Sequence, residues 1–230
     1  MTKMLASVNS LQEAQIVQQT DVDIIDLKQP TLGALGALDT AQVKKIVTAL
    51  AQSHAISATV GDLPMQADLI ISAVQNMANT GVDFVKIGFF PDQDWHDVIK
   101  NLQSLIQQSL AQKPLRLIAV LFADQQPDLE TVELLSQAGF EGVMLDTMDK
   151  SRGSLTQVMP LAVIQDFVKS SKQHHLLCGL AGSLRATDVP ALRLLGADYL
   201  GFRGALCAAH QRTAALDPVA TRAILTTLKH

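Results

Sequence analysis

Cysteine is nearly absent from this chain, which contains only Cys178 and Cys207 among its 230 residues. Two widely separated cysteines cannot form a disulfide scaffold, and they lack the paired spacing of a zinc site. We therefore expect two reduced, packed thiols. The histidines add no metal partner at recognisable spacing, because His54, His174 and His175 precede predicted strands. No metal site is predicted.

Three further absences narrow the class of protein. The sequence has no apolar run long enough to cross a bilayer and no signal-peptide segment, so we expect a cytoplasmic protein without membrane contact. The net charge is −4 and no long basic cluster occurs, which argues against nucleic acid as a partner. The sequence is compatible with a homo-oligomer and does not define its size.

Aromatic residues are also scarce, at 4% of the chain, whereas hydrophobic residues make up 48%. A core of Leu, Ile, Val and Ala is typical of α/β proteins. The length suits one domain over residues 1–230, since α/β barrels commonly reach this size as a single unit.

Eight apolar, β-branched runs alternate with segments of helical periodicity. We predict strands at 4–8, 22–27, 55–60, 82–88, 115–122, 140–146, 175–181 and 197–203. We predict helices at 11–19, 40–52, 67–80, 94–111, from about 127, and at 155–172, 188–195 and 216–228. This order favours a single (β/α)₈ TIM barrel. An open doubly wound sheet is the alternative, but its GxGxxG turn is absent.

Ionisable side chains stand at the carboxyl ends of three predicted strands: Asp26 with Lys28, Lys86, and Asp146 with Lys150. In a closed barrel these ends converge. Burial and mutual repulsion disfavour charged lysines, so an amine there can become a nucleophile toward carbonyl carbon. The alternative is a set of structural ion pairs, but three lysines converging with two aspartates favour a catalytic site.

Two glycine-rich segments follow the seventh and eighth strands. Gly182 and Ser183 belong to the first, and Arg203 and Gly204 belong to the second. Barrels often bind phosphate at these two exits, and Ser183 and Arg203 can donate hydrogen bonds to phosphate oxygens. Tight turns without a ligand would explain either segment alone. The combination predicts a phosphorylated substrate.

Three other residues are weaker candidates. Asp62 lies at the exit of the third strand, and Asp124 follows the fifth. His210 follows the last strand and is near enough to approach a phosphate, although a plain surface position is the preferred interpretation. Asp62 is a second-tier candidate for the site, and Asp124 is weaker still because aspartates are common in turns.

Several segments together resemble the (5-formylfuran-3-yl)methyl phosphate synthase family, the lyases of methanofuran biosynthesis. They are DLKQPTLGALGA, SATVGDLP, DFVKIG, VMLDTMDKSRGSL, GLAGSL and GFRGALC. The resemblance runs from Met4 to about Ala208. Two departures are visible: Gln29 stands where an asparagine is usual, and the segment after Pro64 is shorter than in archaeal members.

The resemblance implies condensation of two glyceraldehyde 3-phosphate molecules, with loss of phosphate and water and without a metal or organic cofactor. It implies that Lys28 forms a Schiff base and that Lys86 accepts a proton. Asp26, Asp146 and Lys150 would share the pocket, and the carbon nucleophile would add to the second aldehyde. A class I aldolase, another sugar-phosphate lyase and a non-catalytic barrel that binds a phosphate ligand are the alternatives.

Overall fold

The computed structural model describes residues 2–51, 53–91, 94–109 and 114–229. The strands are β1 Lys3–Val8, β2 Ile24–Leu27, β3 Ala55–Thr59, β4 Phe84–Phe89, β5 Leu117–Phe122, β6 Gly142–Asp146, β7 Leu177–Leu180 and β8 Tyr199–Phe202. The helices are α1 Leu11–Gln18, α2 Thr40–Leu50, α3 Ala67–Ala78, α4 His96–Ser109, α5 Thr131–Gln137, α6 Leu155–Val158, α7 Leu161–Gln173, α8 Val189–Leu194 and α9 Pro218–Lys229. Residues 1 and 230 and the predicted ends of two helices, at 52 and 110–111, lie outside the described residues.

The strands form one closed parallel barrel in sequence order, with β8 paired to β1. The predicted (β/α)₈ TIM barrel is therefore confirmed. Because side chains alternate along each strand, the barrel has two apolar regions. Leu5, Phe84 and Met144 pack inside the barrel, whereas Ile25 and Ile87 belong to the larger cluster between strands and helices.

Several strands begin two residues later than predicted, and an aspartate explains three of these starts. Asp23, Asp83 and Asp198 each directly precede the first residue of β2, β4 and β8. Each carboxylate accepts a 2.8 Å hydrogen bond from a backbone N–H of the preceding strand. A side-chain oxygen thus replaces the carbonyl that an ordinary ladder would use at this end of the barrel.

The single helix predicted over 155–172 is wrong. The chain instead forms α6 and α7, and Pro160 lies between them as the N-cap of α7. Proline has no N–H and its ring clashes with the preceding turn, so the first helix ends before it. The short α6 directly follows the loop after β6, which carries Lys150.

The loops after β2 and β6 share one backbone conformation. Gln29 and Asp149 each cap a three-residue 3₁₀ helix with a side-chain oxygen. The helices end at Gly33 (φ 108°, ψ −163°) and Gly153 (φ 112°, ψ −166°), respectively. Strands β2 and β6 are four apart in the barrel, so two matching loops face each other across its mouth.

Within the described ranges, none of the helices combines the length and the apolar character needed to traverse a lipid bilayer.

Candidate active site

Asp26 accepts hydrogen bonds from three side chains inside the barrel, and its own side chain is 0% exposed. Its neighbours in the strand register are Ser7 on β1 and Ser57 on β3. Their hydroxyl groups donate hydrogen bonds of 2.8 and 2.6 Å to the carboxylate, and Lys86 Nζ on β4 donates a third of 3.0 Å. Four neighbouring strands thus fix one buried carboxylate and one amine.

Asp146 at the end of β6 makes a second cluster on the opposite side. Lys150 Nζ lies 2.5 Å from Asp146 Oδ1, and Lys28 Nζ lies 3.4 Å from Asp146 Oδ2. Lys150 also donates to the carbonyl of Thr147 at 2.5 Å. One carboxylate therefore holds two lysines that come from opposite strand exits.

Asp26 and Lys28 form no ion pair with each other, although the sequence places them on the same face of one strand. Residues two apart along a strand are separated by about 7 Å, which leaves their charged ends free to find other partners. Lys28 follows the last residue of β2 and reaches across the barrel to Asp146, while Asp26 pairs with Lys86. The predicted charged residues therefore do come together, but Asp26 and Lys28 each pair with a residue of another strand.

Both aspartates have pKa values below the ordinary range. Burial opposes ionisation of Asp26, but Lys86 and Lys28 together with the two serine hydroxyls lower its pKa further than burial raises it. Burial likewise opposes ionisation of Asp146, and Lys150 and Lys28 outweigh it. Both groups are carboxylates at neutral pH.

Lys28 has the chemistry of a nucleophile. Burial lowers the pKa of its ammonium group from 10.5 to about 8, with Asp146 opposing the shift and Lys150 and Lys86 adding to it. At that pKa about a tenth of the Lys28 amine is neutral at pH 7 and about half at pH 8. A buried, partly neutral amine that faces a cavity can attack an aldehyde.

The cavity above these groups has a volume of about 280 Å³, which suits a small metabolite. Its wall contains Asp146 and six basic side chains, which are Lys28, Lys86, Lys150, Arg185, Arg203 and Arg212. Such an excess of cations favours an anionic ligand. Among the described residues, no group of three or more His, Cys, Asp or Glu side chains could hold a metal ion.

The loop after β7 presents unused backbone donors to this cavity. Gly182 (φ 107°) and Ser183 (φ 48°) are in the left-handed region, which turns the backbone sharply after the strand. The N–H groups of Gly182, Ser183 and Leu184 donate no hydrogen bond within the part of the chain that the structure describes. Free backbone N–H groups in a cavity wall are suited to an anion.

Arg203 lines the cavity but has no spare donor. Its five N–H groups donate to two oxygens of Glu13 and to the carbonyls of Ser7, Arg212 and Ala214, at distances of 2.5–3.2 Å. Glu13 and Arg203 are both buried. The geometry gives Arg203 a structural task beside the cavity, whereas Gly204 lies in the cavity wall.

The weaker candidates support the loops that carry the lysines. Asp62 accepts hydrogen bonds from the N–H groups of Ala34 and Leu35 in the loop after Lys28, at 2.7 and 2.6 Å. Asp124 does the same for Met148 and Asp149 in the loop before Lys150, at 2.7 and 2.9 Å. His210, for which a plain surface position was preferred, is exposed and lines the cavity mouth.

Sequence reasoning missed Ser7, Ser57 and Arg212. The two serines interrupt buried apolar strands, and their register beside Asp26 was the available signal. Arg212 follows the last strand by ten residues in a segment without periodicity, so nothing in the local pattern marks it.

Solved structures of other barrels share this fold. The 3-hexulose-6-phosphate synthase structure has a TM-score of 0.70 with 16% identity, covering 99% of this chain and 100% of that one. The phosphoribosyl anthranilate isomerase of Thermus thermophilus has a TM-score of 0.69 with 11% identity, covering 100% and 98% of the two chains. At these identities the likeness concerns the fold alone.

Sequence relatives are more informative. A protein of Methylorubrum extorquens, named as a candidate (5-formylfuran-3-yl)methyl phosphate synthase, is 39% identical over 215 residues, which cover 94% of this chain and 86% of that protein. The (5-formylfuran-3-yl)methyl phosphate synthase of Methanococcus maripaludis is 29% identical, with 92% of each chain covered. The model of the 4-HFC-P synthase family matches residues 4–225. This chain therefore belongs to the 4-HFC-P synthase family of enzymes.

Proposed function

We propose that this protein condenses two molecules of glyceraldehyde 3-phosphate into (5-formylfuran-3-yl)methyl phosphate, as a carbon-oxygen lyase of methanofuran biosynthesis. The observation that carries the proposal is the buried Lys28, with a pKa of about 8, in one cation-rich cavity with Lys86. The names of the sequence relatives support the product, and the expected pathway follows from the family resemblance.

The reaction begins with an imine at Lys28. The neutral amine attacks the aldehyde carbon C1 of the first triose, and loss of water gives a protonated imine. The carboxylate of Asp146 stabilises the positive charge of this imine, because Lys28 Nζ already lies 3.4 Å from it. The positive imine withdraws electrons and acidifies the hydrogen on C2.

The C2 proton then passes to Lys86. Its Nζ lies 3.0 Å from Asp26, which stabilises the ammonium group that results. The electron pair left on C2 expels the phosphate from C3. What remains on Lys28 is an enol with a double bond between C2 and C3, and its C3 is nucleophilic.

The carbon–carbon bond must form at C2 of the second triose. In the product, the phosphate-bearing CH₂ group is attached to a ring carbon that has no bond to oxygen. Addition to the aldehyde carbon of the second triose would place that group next to the ring oxygen instead. The expected attack on the second aldehyde would therefore give a different furan. The second triose reacts as its ketose isomer, which forms through an enediol: C2 loses its proton, C1 gains one, and the hydroxyl proton moves from the oxygen on C2 to the oxygen on C1, so that the carbonyl lies at C2.

Ring closure and loss of two hydroxyl groups complete the furan. The terminal hydroxyl of the second triose attacks C2 of the first, and two waters leave as the ring becomes aromatic. Lys150 and Asp146, 2.5 Å apart at the cavity wall, are placed to donate and accept the protons. Hydrolysis of the imine consumes one water, which offsets the water released when the imine formed, so the balance is one phosphate and two waters released per furan.

The proposal is tested with glyceraldehyde 3-phosphate labelled with ¹³C at C1 as the sole substrate. We expect label in the formyl carbon and in the unsubstituted ring carbon beside oxygen, with one phosphate released per furan, and no furan from Lys28→Arg. A six-carbon sugar phosphate formed without phosphate release would contradict the proposal and indicate an aldolase. No turnover would equally contradict it and favour a binding protein.

A further inference from the structure

Arg212 lies between the loop after β2 and the exit of β8. It belongs to the segment 207–216, which folds back after β8. The two ends of this segment are joined by an isolated antiparallel β-bridge between the backbones of Cys207 and Leu216. Arg212 Nη2 donates a 2.9 Å hydrogen bond to the carbonyl of Gly33, in the loop that follows Lys28. A Cβ at Gly204 would lie 3.9 Å from the backbone N of Arg212, so the segment also packs on the β8 exit.

The guanidinium group of Arg212 keeps most of its donors available. Of its five N–H groups, the bond to Gly33 uses one, and no carboxylate lies within ion-pair distance of it in the described ranges. It is only partly exposed and lines the same cavity as Lys28 and Lys86. Arg203, the other arginine of this exit, has no donor left.

Arg203 instead holds Arg212 in place. It donates to the carbonyl of Arg212 at 2.8 Å and to that of Ala214 at 3.0 Å, while Glu13 neutralises its charge. A buried ion pair thus fixes the backbone of the segment, and the Arg212 side chain extends from that fixed backbone into the cavity. Preorganisation of this kind lowers the entropy cost of binding.

We propose that Arg212 is the specificity-determining residue that binds the substrate phosphate, together with the free N–H groups of Gly182, Ser183 and Leu184, and that Arg203 is its positioning residue. The inference rests on the proposed function in one respect, namely that the substrate carries a phosphate. Arginine suits this task because its planar fork donates two parallel hydrogen bonds to phosphate oxygens.

Binding through the unused donors leaves the bond from Arg212 to Gly33 intact. A phosphate held by Arg212 is therefore linked through one side chain to the loop that carries Lys28. An aldehyde without phosphate has no group for Arg212 to bind, so it should react with Lys28 without help from this residue.

Inorganic phosphate is the probe for the first test, because its binding requires no imine. Calorimetric titration should show that Arg212→Gln binds phosphate at least about tenfold more weakly than the wild type. Arg222→Gln on α9 makes the same change of charge at an exposed position and should bind like the wild type. Equal affinity in wild type and Arg212→Gln, an equal loss in both variants, or no phosphate binding by the wild type would overturn the inference.

Arg212→Lys serves as the second variant, and it decides the test if Arg212→Gln fails to fold. It keeps the charge but loses the planar guanidinium group, so its phosphate affinity should be lower than that of the wild type, whereas that of Arg222→Lys should be unchanged. Affinity equal to that of the wild type would contradict a specific role for the guanidinium group.

Borohydride trapping with unphosphorylated glyceraldehyde separates this inference from the proposed function. Arg212→Lys should lower the adduct yield at Lys28 less with glyceraldehyde than with glyceraldehyde 3-phosphate, and an equal loss with both aldehydes would overturn the inference. Furan formation together with unaltered phosphate affinity in Arg212→Gln would reject the role of Arg212 alone. Arg212-dependent phosphate binding without furan formation would reject the synthase reaction alone.

Discussion

Lys28 carries a cost in stability that follows directly from its burial. Its ammonium group has a pKa of about 8 in the folded chain and 10.5 as the ordinary value. Burying the charged ammonium group therefore lowers the free energy of unfolding. This penalty is complete below about pH 8, where Lys28 is charged in both the folded and the unfolded chain, and it disappears as the pH rises toward 10.5. Lys28→Met should raise the free energy of unfolding at pH 7 by up to about 3 kcal/mol. Chemical denaturation measures this gain.

The pH dependence of that gain is the sharper measurement. The stabilisation by Lys28→Met should shrink between about pH 8 and pH 10.5, because wild-type Lys28 loses its charge in the folded state over that range. Lys45→Met on α2 removes a lysine from an exposed position and should have an effect of less than about 0.5 kcal/mol. If Lys28→Met lowered the free energy of unfolding, or raised it by an amount independent of pH, burial would not destabilise the charged form of Lys28.

Substitution of Lys86 should block furan formation without blocking imine formation at Lys28. Lys86→Met removes the base but leaves Lys28 with Asp146 as its partner. Furan formation should fall by about 10²–10⁴-fold, the usual contribution of a positioned general base. The borohydride-trapped adduct at Lys28 should persist. A parallel loss of adduct and product would contradict the assignment of Lys86 to the proton-transfer step.

Single residues were identified from the sequence where strand periodicity fixes their direction. Asp26, Lys86 and Asp146 lie on inward-facing positions of their strands, so their convergence follows from the barrel alone. The different tasks of Arg203 and Arg212 could not be read in the same way. They depend on Glu13, whose contact with Arg203 spans 190 positions of the chain.

Helix α1 and the segment after β8 are joined by Glu13, and the strength of that link is measurable. Glu13 accepts hydrogen bonds from Arg203 and from the N–H groups of Asn9 and Leu216. Glu13→Gln leaves the buried Arg203 charge without its partner, so we expect a loss of about 3 kcal/mol. Phosphate affinity should fall as well, because Arg203 positions Arg212.

A double-mutant cycle with Arg203→Met provides the control for this link. The combined variant should cost at least about 1 kcal/mol less than the sum of the single variants. Glu141→Gln disrupts the half-exposed pair of Glu141 with Arg116 and should cost less than about 1 kcal/mol. Additive effects at Glu13 and Arg203, or unchanged phosphate affinity in Glu13→Gln, would contradict the positioning role.

Element types were predictable, whereas element ends were not. One helix over 155–172 is predicted because a proline is tolerated near the start of a helix, but Pro160 separates α6 from α7. The late starts of β2, β4 and β8 depend on aspartate side chains that bond to a neighbouring strand. Such contacts between elements leave no local pattern.

The whole molecule follows from the eight alternating units, since short connections between parallel strands permit few arrangements other than a barrel. Closure then brings together the exits of β2, β4 and β6, the first and last of which are 118 positions apart in the sequence. Strands β2 and β6, each with the loop that follows it, contribute one aspartate and one lysine to the mouth. The cavity is thus a property of the closed barrel, because no single segment contains it.

The most direct test of the central claim is borohydride trapping with glyceraldehyde 3-phosphate, followed by intact-mass analysis and peptide mapping. The account predicts a single reduced adduct at Lys28, present in Lys86→Arg, absent from Lys28→Arg, and increasing in yield as the pH rises through about 8. An adduct at Lys86 or Lys150 in the wild type, or no adduct at any lysine, would contradict it.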